Sequence, residues 1–257
     1  MLQVLKNLIK QTPPGRAYLR RKFWSWTAHD EKSAQFYAQF VRPGDLVFDV
    51  GANRGNRARL FLKLGARVVL VEPQPFCAAY LRTVLAGRKD WILVEAGLGP
   101  AEGEQEMFID AMDVRSTFSA DWIERTKTSG RFADGGWEKR QVVRMSTFDA
   151  LIRQHGLPAF AKIDVEGYEE NVLAGLHAAP GALSFEFTPE IMASTHACLD
   201  RISSLGDYVY QVSLGESMEL DLPEWVSEKA LRARLAELAA RGDALQLFGD
   251  IYARLKP

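Results

Sequence analysis

The sequence has few of the features that mark secreted, membrane-spanning and nucleic-acid-binding proteins. Its two cysteines, Cys77 and Cys198, are far apart and show no metal-ligand spacing, which predicts buried thiols in a reducing compartment. The 32 basic and 33 acidic residues nearly cancel, which argues against nucleic acid as a partner. No apolar run approaches the roughly 18 residues of a membrane span. Residues 1–10 are too short for a secretion signal, so we predict a cytoplasmic protein.

Residues 1–40 have a composition of their own. Apolar residues at helical spacing occupy positions 2–9, and a second helical stretch combines aromatic side chains with Arg16, Arg20, Arg21 and Lys22. Residues 1–32 contain seven basic and two acidic residues, a net charge of +5 (7 − 2). This pattern predicts an N-terminal helical arm. Two interpretations stay open: a lid packed on the main domain with its charges in water, or a peripheral contact with an anionic membrane or a charged acceptor.

Residues 41–257 alternate short β-rich runs with helical patterns. The predicted strands cover residues 46–50, 66–71, 91–94, 160–164, 183–187, 208–212 and 251–254, with helices between most of them. Residues 102–146 interrupt this rhythm with two strands near 107–109 and 141–143. The alternation indicates one α/β domain with a mostly parallel, Rossmann-like sheet. Ligands of such sheets bind beyond the carboxyl ends of the strands.

A glycine-rich turn follows the first predicted strand. The segment DVGANRG, residues 49–55, contains Gly51 and Gly55, and glycine lets a ligand approach the backbone closely. The free N–H groups at the start of the next helix favour polar or anionic ligand groups. Glu72 ends the second strand, where a carboxylate can accept hydrogen bonds from both hydroxyls of a ribose. Together they predict a nucleotide-type ligand.

Three charged residues alternate at the end of the strand predicted at 160–164. Lys162, Asp164 and Glu166 have period-two spacing and therefore point to one side. Buried charges need partners or a function, and a carboxylate or a lysine here can take a proton from an acceptor. The alternative is an ion pair that only holds the loop. Glu186 ends the next strand and faces either the acceptor or the following turn.

Four segments of the chain together resemble one family. They are FDVGANRG (48–55), VEP (71–73), TFDAL (147–151) and KIDVEGYE (162–169). In this combination the sequence resembles the FkbM-type methyltransferases over residues 41–187. The resemblance implies a class I methyltransferase fold, with a seven-stranded sheet whose last strand is antiparallel. It also implies S-adenosylmethionine as methyl donor and O-methylation of a sugar, glycan or other natural product.

The resemblance assigns residues to the cofactor. It implies that the methionine part lies over the Gly51–Gly55 turn, the ribose on Glu72 and the adenine near residues 95–97, with Asp164 close to the sulfonium. The implied cofactor-binding residues are Asp49, Gly51, Ala52, Asn53, Gly55, Glu72, Pro73, Gly97, Ser116 and Asp164. The implied catalytic residues are Asp164, Glu166 and Lys162, among which the sequence does not choose the proton acceptor. No metal ligands are predicted.

Two other functions compete with this interpretation. An NAD-dependent oxidoreductase also uses a glycine turn and an acid, but Gly51 and Gly55 lack the three-glycine dinucleotide spacing. A non-catalytic module of the same fold would bind the cofactor, or dock on a membrane or a partner through the arm. The intact strand-end motifs favour the methyltransferase.

Overall fold

The computed structural model describes residues 12–240 and 245–256. The predicted first helix, at residues 2–9, lies outside these residues. No helix in the described ranges is long and apolar enough to cross a bilayer.

The strands and helices follow one another in the predicted alternation. The strands are β1 (Leu46–Val50), β2 (Arg67–Val71), β3 (Trp91–Val94), β4 (Gly97–Leu98), β5 (Gly103–Ile109), β6 (Lys139–Ser146), β7 (Phe160–Ile163), β8 (Ala182–Phe187), β9 (Tyr208–Leu214) and β10 (Gly249–Leu255). The α-helices are α1 (Pro13–Phe23), α2 (Ala28–Tyr37), α3 (Asn56–Lys63), α4 (Pro75–Val84), α5 (Ala120–Ser129), α6 (Phe148–His155), α7 (Glu169–Ala174), α8 (Met192–Leu205) and α9 (Glu228–Ala239). Short 3-10 helices occupy Asp113–Arg115 and Pro189–Ile191.

The main sheet has seven strands in the order β3-β2-β1-β7-β8-β10-β9. Strands β3, β2, β1, β7 and β8 pair in parallel, and β10 pairs antiparallel with both β8 and β9. The expected class I methyltransferase sheet, with its antiparallel last strand, is confirmed. The strand order reverses between β1 and β7, which places the ligand crevice at their carboxyl ends.

The two faces of the sheet are covered by different helices. Phe48 and Val50 of β1 lie in a core that includes residues of α6 to α9, whereas Val47 lies in a core with residues of α1 to α4. Because side chains alternate along a strand, Asp49 faces the same side as Val47. In the parallel register Asp49 stands beside Lys162 of β7, so two charged residues share that face.

The N-terminal helices pack on this face and supply part of its core. The ring of Tyr37 lies 5.0 Å from that of Phe61 and 5.9 Å from that of Phe160. Phe40 stacks on Tyr252 at 5.1 Å. The basic side chains of α1 stay exposed to solvent. The boundary at residue 40 between arm and domain stays a prediction.

Residues 97–146 form a smaller unit beside the main sheet. Strands β4, β6 and β5 make a three-stranded sheet in that order, which agrees with the two strands predicted near 107–109 and 141–143. Helix α5 was not predicted, because its residues are mostly polar. It is anchored by Trp122, which packs edge-on against Trp137 at 5.9 Å, with Ile191 in the same cluster.

Candidate active site

A cavity of about 490 Å³ opens beyond the carboxyl ends of β1, β2 and β7. It gathers side chains from the N-terminal helices, the strand ends and the small sheet. The implied cofactor-binding residues line this cavity, with the exception of Gly55: Asp49, Gly51, Ala52, Asn53, Glu72, Pro73, Gly97, Ser116 and Asp164. Of the implied catalytic residues, Asp164 and Glu166 line it and Lys162 does not.

The turn after β1 is shaped for close approach of a ligand. Gly51 has φ +84°, and a Cβ at this position would overlap the carbonyl oxygen of Asp164. The amides of Gly51 and Ala52 both donate to the carbonyl of Val71 at 3.0 Å, which fixes the turn. Helix α3 then starts at Asn56 without a side-chain cap from its N-cap residue. The amide of Ala58 interacts with the carboxylate of Asp49, which leaves the N–H groups before it for a ligand.

Gly55 has a packing role. It adopts φ +78°, and a Cβ there would come within 2.7 Å of Leu81 and 3.3 Å of Phe23, in the core below the turn. The structure therefore places it behind the cavity wall. Glycine is required at this position by its backbone conformation and by the packing of α1 and α4.

Glu72 is buried at the end of β2 and braces the glycine turn. Its Oε2 accepts a hydrogen bond from the amide of Asn53 at 2.7 Å, and its Oε1 accepts one from the amide of Gln74 at 2.7 Å. Burial raises the pKa of Glu72 to about 7, against the lowering effect of these hydrogen bonds. Each carboxylate oxygen keeps lone-pair capacity for a further donor from the cavity.

Asp49 leaves a buried acceptor atom unused. Its Oδ2 has no hydrogen-bond partner, although the residue is buried and lines the cavity. Burial raises the pKa of Asp49 to about 7, with the positive charge of Lys162 acting in the opposite direction. Because an orphaned buried acceptor is costly, this site is suited to a ligand that brings an N–H donor.

Lys162 lies beneath the cavity floor in a buried ion-pair network. Its Nζ is 2.7 Å from Oδ1 of Asp250 and 3.3 Å from Oδ2 of Asp164. Burial alone would lower the pKa of Lys162, but the two carboxylates outweigh it and hold the pKa well above its usual value. The ammonium is therefore protonated at neutral pH and positions Asp164 from below.

Three carboxylates meet above this network. One carboxylate oxygen from each of Asp164, Glu166 and Glu186 lies within 4.8 Å of the other two, and all three residues line the cavity. Burial, together with the charges of Asp164 and other nearby carboxylates, raises the pKa values of Glu166 and Glu186 well above the ordinary glutamate value. Of the two orientations that the sequence left open for Glu186, the structure shows the one that faces the cavity.

Glu166 is held in a strained backbone conformation. Its φ of 55° lies in the left-handed region, which residues with a side chain rarely adopt. The hydroxyl of Thr117 donates to its carbonyl oxygen at 2.7 Å, and Gly167 follows with φ 81°. Strain of this kind persists where surrounding contacts impose it and is concentrated at functional sites.

The two ends of the cavity have different walls. At one end, Ala96 and Gly97 line the cavity, while the exposed carboxylate of Glu95 pairs with Arg82 on the surface. Ser116 lines the same region, and its Oγ accepts from the amide of Asp110 at 3.2 Å. At the other end, the lining comes from the N-terminal helix α2 and from residues around α3 and β9: His29, Ser33, Arg57 and Glu216.

Asp250 is a site residue that was not predicted from the sequence. It lies at the start of β10, 88 residues after Lys162. Since β10 is antiparallel, its first residues lie at the carboxyl ends of the parallel strands, so an acid at the start of that strand was a usable signal. His29, on the N-terminal helix α2, also lines the cavity. The roles that the resemblance assigns to the site residues stay predictions.

Part of the chain matches a known protein family. Residues 49–210 match the methyltransferase FkbM domain. The 31-O-demethyl-FK506 methyltransferase FkbM of Streptomyces tacrolimicus is 31% identical over 167 residues, which cover 54% of this chain and 62% of that protein.

Two solved structures show more distant similarity. One is a precorrin-6y C5,15-methyltransferase from Geobacter metallireducens, with 11% identity, a TM-score of 0.47 and coverage of 88% of this chain and 87% of that one. The other is an O-methyltransferase from Bacillus cereus in complex with SAH, with 10% identity, a TM-score of 0.43 and coverage of 99% and 96%. With a family match over more than half of its length and the expected sheet, the chain belongs to the methyltransferase FkbM domain family.

Proposed function

We propose that the protein is an S-adenosylmethionine-dependent methyltransferase that methylates a hydroxyl group of a small-molecule or glycan acceptor. One observation carries the proposal. A single cavity at the switch point of the sheet is lined by the glycine turn, by the buried carboxylate of Glu72, which can accept hydrogen bonds from a ribose, and by the cluster of three carboxylates. The first two suit the cofactor, and the third suits an acceptor that must lose a proton.

The residues present fit the cofactor at each end. The uncapped start of α3 suits a carboxylate, and the orphaned Oδ2 of Asp49 suits an amino group. Glu72 can accept from ribose hydroxyls through its remaining lone pairs, and the small residues Ala96 and Gly97 leave room for a flat base. When bound, S-adenosylmethionine supplies a methyl group on a positively charged sulfur.

The carboxylate cluster would serve the acceptor. An alcohol becomes a better nucleophile as its proton leaves, and Glu166 or Glu186 would take that proton. A raised pKa makes each carboxylate a stronger base once it is ionised. Asp164 would be oriented by Lys162, and the protonated ammonium has no lone pair with which to take a proton.

O-methylation is favoured over transfer to nitrogen by two facts. Three carboxylates near one point provide a base, which an alcohol acceptor needs. The curated relative is named as a 31-O-demethyl-FK506 methyltransferase, which acts on an oxygen. Acceptor choice would depend on His29, Ser33 and Glu216, which line the cavity but lie outside the residues matched to the family.

A methyl-transfer assay tests the proposal. The protein is incubated with S-adenosylmethionine labelled in its methyl group and with a panel of glycosides and polyhydroxylated natural products, some of which also carry amino groups. We expect labelled methyl ethers from at least one hydroxylated acceptor, and a much smaller yield with the Asp164→Asn variant. Label found only on amine-bearing members of the panel would contradict O-methylation. Cofactor binding without transfer to any member would favour a non-catalytic module.

A further inference from the structure

An exposed surface next to the cavity mouth combines apolar and basic side chains. It is formed by α1, the outward face of α4 and the turn at residues 112–114, and is called here the rim surface. Three large apolar side chains protrude from it: Phe76 of α4 is 56% exposed, Met112 of the turn 53% and Tyr18 of α1 63%. Val114 is 48% exposed and also lines the cavity, so the rim surface reaches the mouth.

Contacts between the elements make this surface continuous. Phe76, Tyr80 and Thr83 lie at positions i, i+4 and i+7 of α4 and therefore share one face of that helix. Helix α1 packs on the far end of this face. The ring centroids of Phe23 and Tyr80 are 6.3 Å apart in an edge-on arrangement, and Nε of Arg20 donates to the carbonyl of Thr83 at 2.9 Å.

Arg54 joins the near end of α4 to the turn. Its guanidinium lies 5.3 Å from the ring of Phe76, and its Nε is 2.7 Å from Oδ2 of Asp113. Asp113 stands between Met112 and Val114, so these two exposed side chains are neighbours of Phe76. The apolar part of the rim surface therefore borders the opening of the cavity.

The charge of the rim surface has one dominant sign. Helix α1 carries four exposed basic residues and no acidic one: Arg16, Arg20, Arg21 and Lys22. The sequence before it, residues 1–11, adds Lys6 and Lys10 and again no acid. The chain as a whole has a formal net charge of −1, so this concentration of positive charge is local.

From these features we infer that the rim surface docks on an anionic lipid bilayer. Exposed aromatic and aliphatic side chains enter the interface, while lysine and arginine side chains attract anionic headgroups. A purely electrostatic partner would not require the apolar side chains at the rim. Docked in this way, the mouth of the cavity faces the headgroup region, so an acceptor held in the membrane reaches the site without leaving the surface.

Vesicle flotation tests this inference with the full chain. The probes are vesicles of phosphatidylcholine alone and vesicles that contain about one third phosphatidylglycerol. One variant reverses charge on α1 (Arg16→Glu, Arg21→Glu and Lys22→Glu), and a second removes the apolar rim (Phe76→Ser and Met112→Ser). Matched controls are Arg153→Glu and Leu157→Ser, which are exposed on and after α6, next to the amino end of β7. Thermal melting followed by circular dichroism checks that every variant is folded.

We expect the wild type and both controls to float with the anionic vesicles and not with phosphatidylcholine alone. The partition coefficient should fall at least about tenfold in each rim variant, and raising the salt concentration should weaken binding of the wild type. Failure of the wild type to float with anionic vesicles would overturn the inference. So would flotation that the folded rim variants leave unchanged, because another surface would then carry the binding.

Discussion

The ammonium of Lys162 and the carboxylate of Asp250 are 2.7 Å apart, although 88 residues separate them in the sequence. The pair forms because β10 inserts antiparallel between β8 and β9 and brings its first residues to the carboxyl ends of the parallel strands. Lys162 also contacts Asp164 at 3.3 Å, so a residue of the last strand helps to set the position of a cavity carboxylate.

Removing the charge of Asp250 should be strongly destabilising. Asp250→Asn leaves a buried ammonium with one partner, and breaking a buried pair costs about 3–5 kcal/mol of unfolding free energy. Urea denaturation measures it. Asp207→Asn is the matched control, because Asp207 pairs with Lys256 at the surface and such pairs contribute about 1 kcal/mol or less. Equal losses of unfolding free energy in the two variants would show that the buried pair contributes no more than a surface pair. Adding Lys162→Met to Asp250→Asn removes the unpaired ammonium and should recover part of the lost stability.

Two glycines with similar backbone angles allow the effect of backbone strain to be distinguished from that of steric overlap. Gly51 has φ +84° and Gly87 has φ +91°, so alanine is strained by roughly 1–2 kcal/mol at either position. Only at Gly51 does the new methyl group meet an obstacle, the carbonyl of Asp164; at Gly87 nothing lies within 4 Å. We expect Gly51→Ala to abolish cofactor binding and Gly87→Ala to retain it, as measured by calorimetry. Retention of normal affinity in Gly51→Ala would contradict the proposed position of the cofactor over this turn.

Glu72 should contribute directly to cofactor affinity. Glu72→Ala removes charge-assisted hydrogen bonds that contribute about 1.5–3 kcal/mol, which corresponds to a loss of roughly 10- to 150-fold in affinity. Glu95→Ala is the control, because its carboxylate pairs with Arg82 on the surface. Calorimetric titration of both variants with S-adenosylmethionine checks this, and an unchanged Kd in Glu72→Ala would exclude the ribose assignment.

The carboxylate that accepts the proton should show itself in turnover and in its pH dependence. Asp164→Asn, Glu166→Gln and Glu186→Gln keep the shape of each side chain, and loss of a general base costs roughly 10²–10⁴-fold in kcat. Because Glu166 and Glu186 have raised pKa values, kcat of the wild type should rise with pH beyond the usual carboxylate range. The variant that removes the base should lose this rise. If all three variants turn over normally, the cluster has no base function.

The apo protein should become less stable as the pH rises from about 5 to 8. Burial raises the pKa of Glu169 to about 7, against the effect of its backbone hydrogen bonds, so the folded state binds more protons than the unfolded state between about 4.5 and 7. The unfolding free energy then falls with pH, by at most about 1.4 kcal/mol per pH unit for each such group. Asp49 and Glu72, also with pKa values of about 7, act in the same direction.

Glu169→Gln isolates one of these groups. The substitution removes one group that binds a proton more tightly in the folded state than in the unfolded state. The slope of unfolding free energy against pH should therefore become less steep. Glu170→Gln changes an exposed neighbour on the same helix and should leave the slope as in the wild type. Urea denaturation across this pH range gives both slopes, and identical slopes in the two variants would contradict the burial effect.

The parts of the fold that local patterns specify were predicted well. Strands β1 and β3 have the predicted bounds, because a short apolar run that ends at turn residues is a local signal. Residues 49–54 of the glycine turn and the acid at 72 line the cavity as expected, since strand ends of a parallel sheet meet at one edge.

The remaining features depend on contacts distant in sequence. The partner of Lys162 was missed because it comes from the last strand, and Gly55 was assigned to the cofactor although its neighbours Leu81 and Phe23 belong to α4 and α1. Helix α5 has little apolar periodicity, and its position depends on Trp122 meeting Trp137 and Ile191. No pattern within a single segment contains such information.

Calorimetric titration of the purified protein with S-adenosylmethionine and, separately, with NAD tests the central claim most directly. The account predicts saturable binding of S-adenosylmethionine and no binding of NAD, because the cavity combines the Gly51 turn and Glu72 without the three-glycine dinucleotide spacing. Binding of NAD alone, or of neither compound, would contradict the assignment of this cavity to a methyl donor.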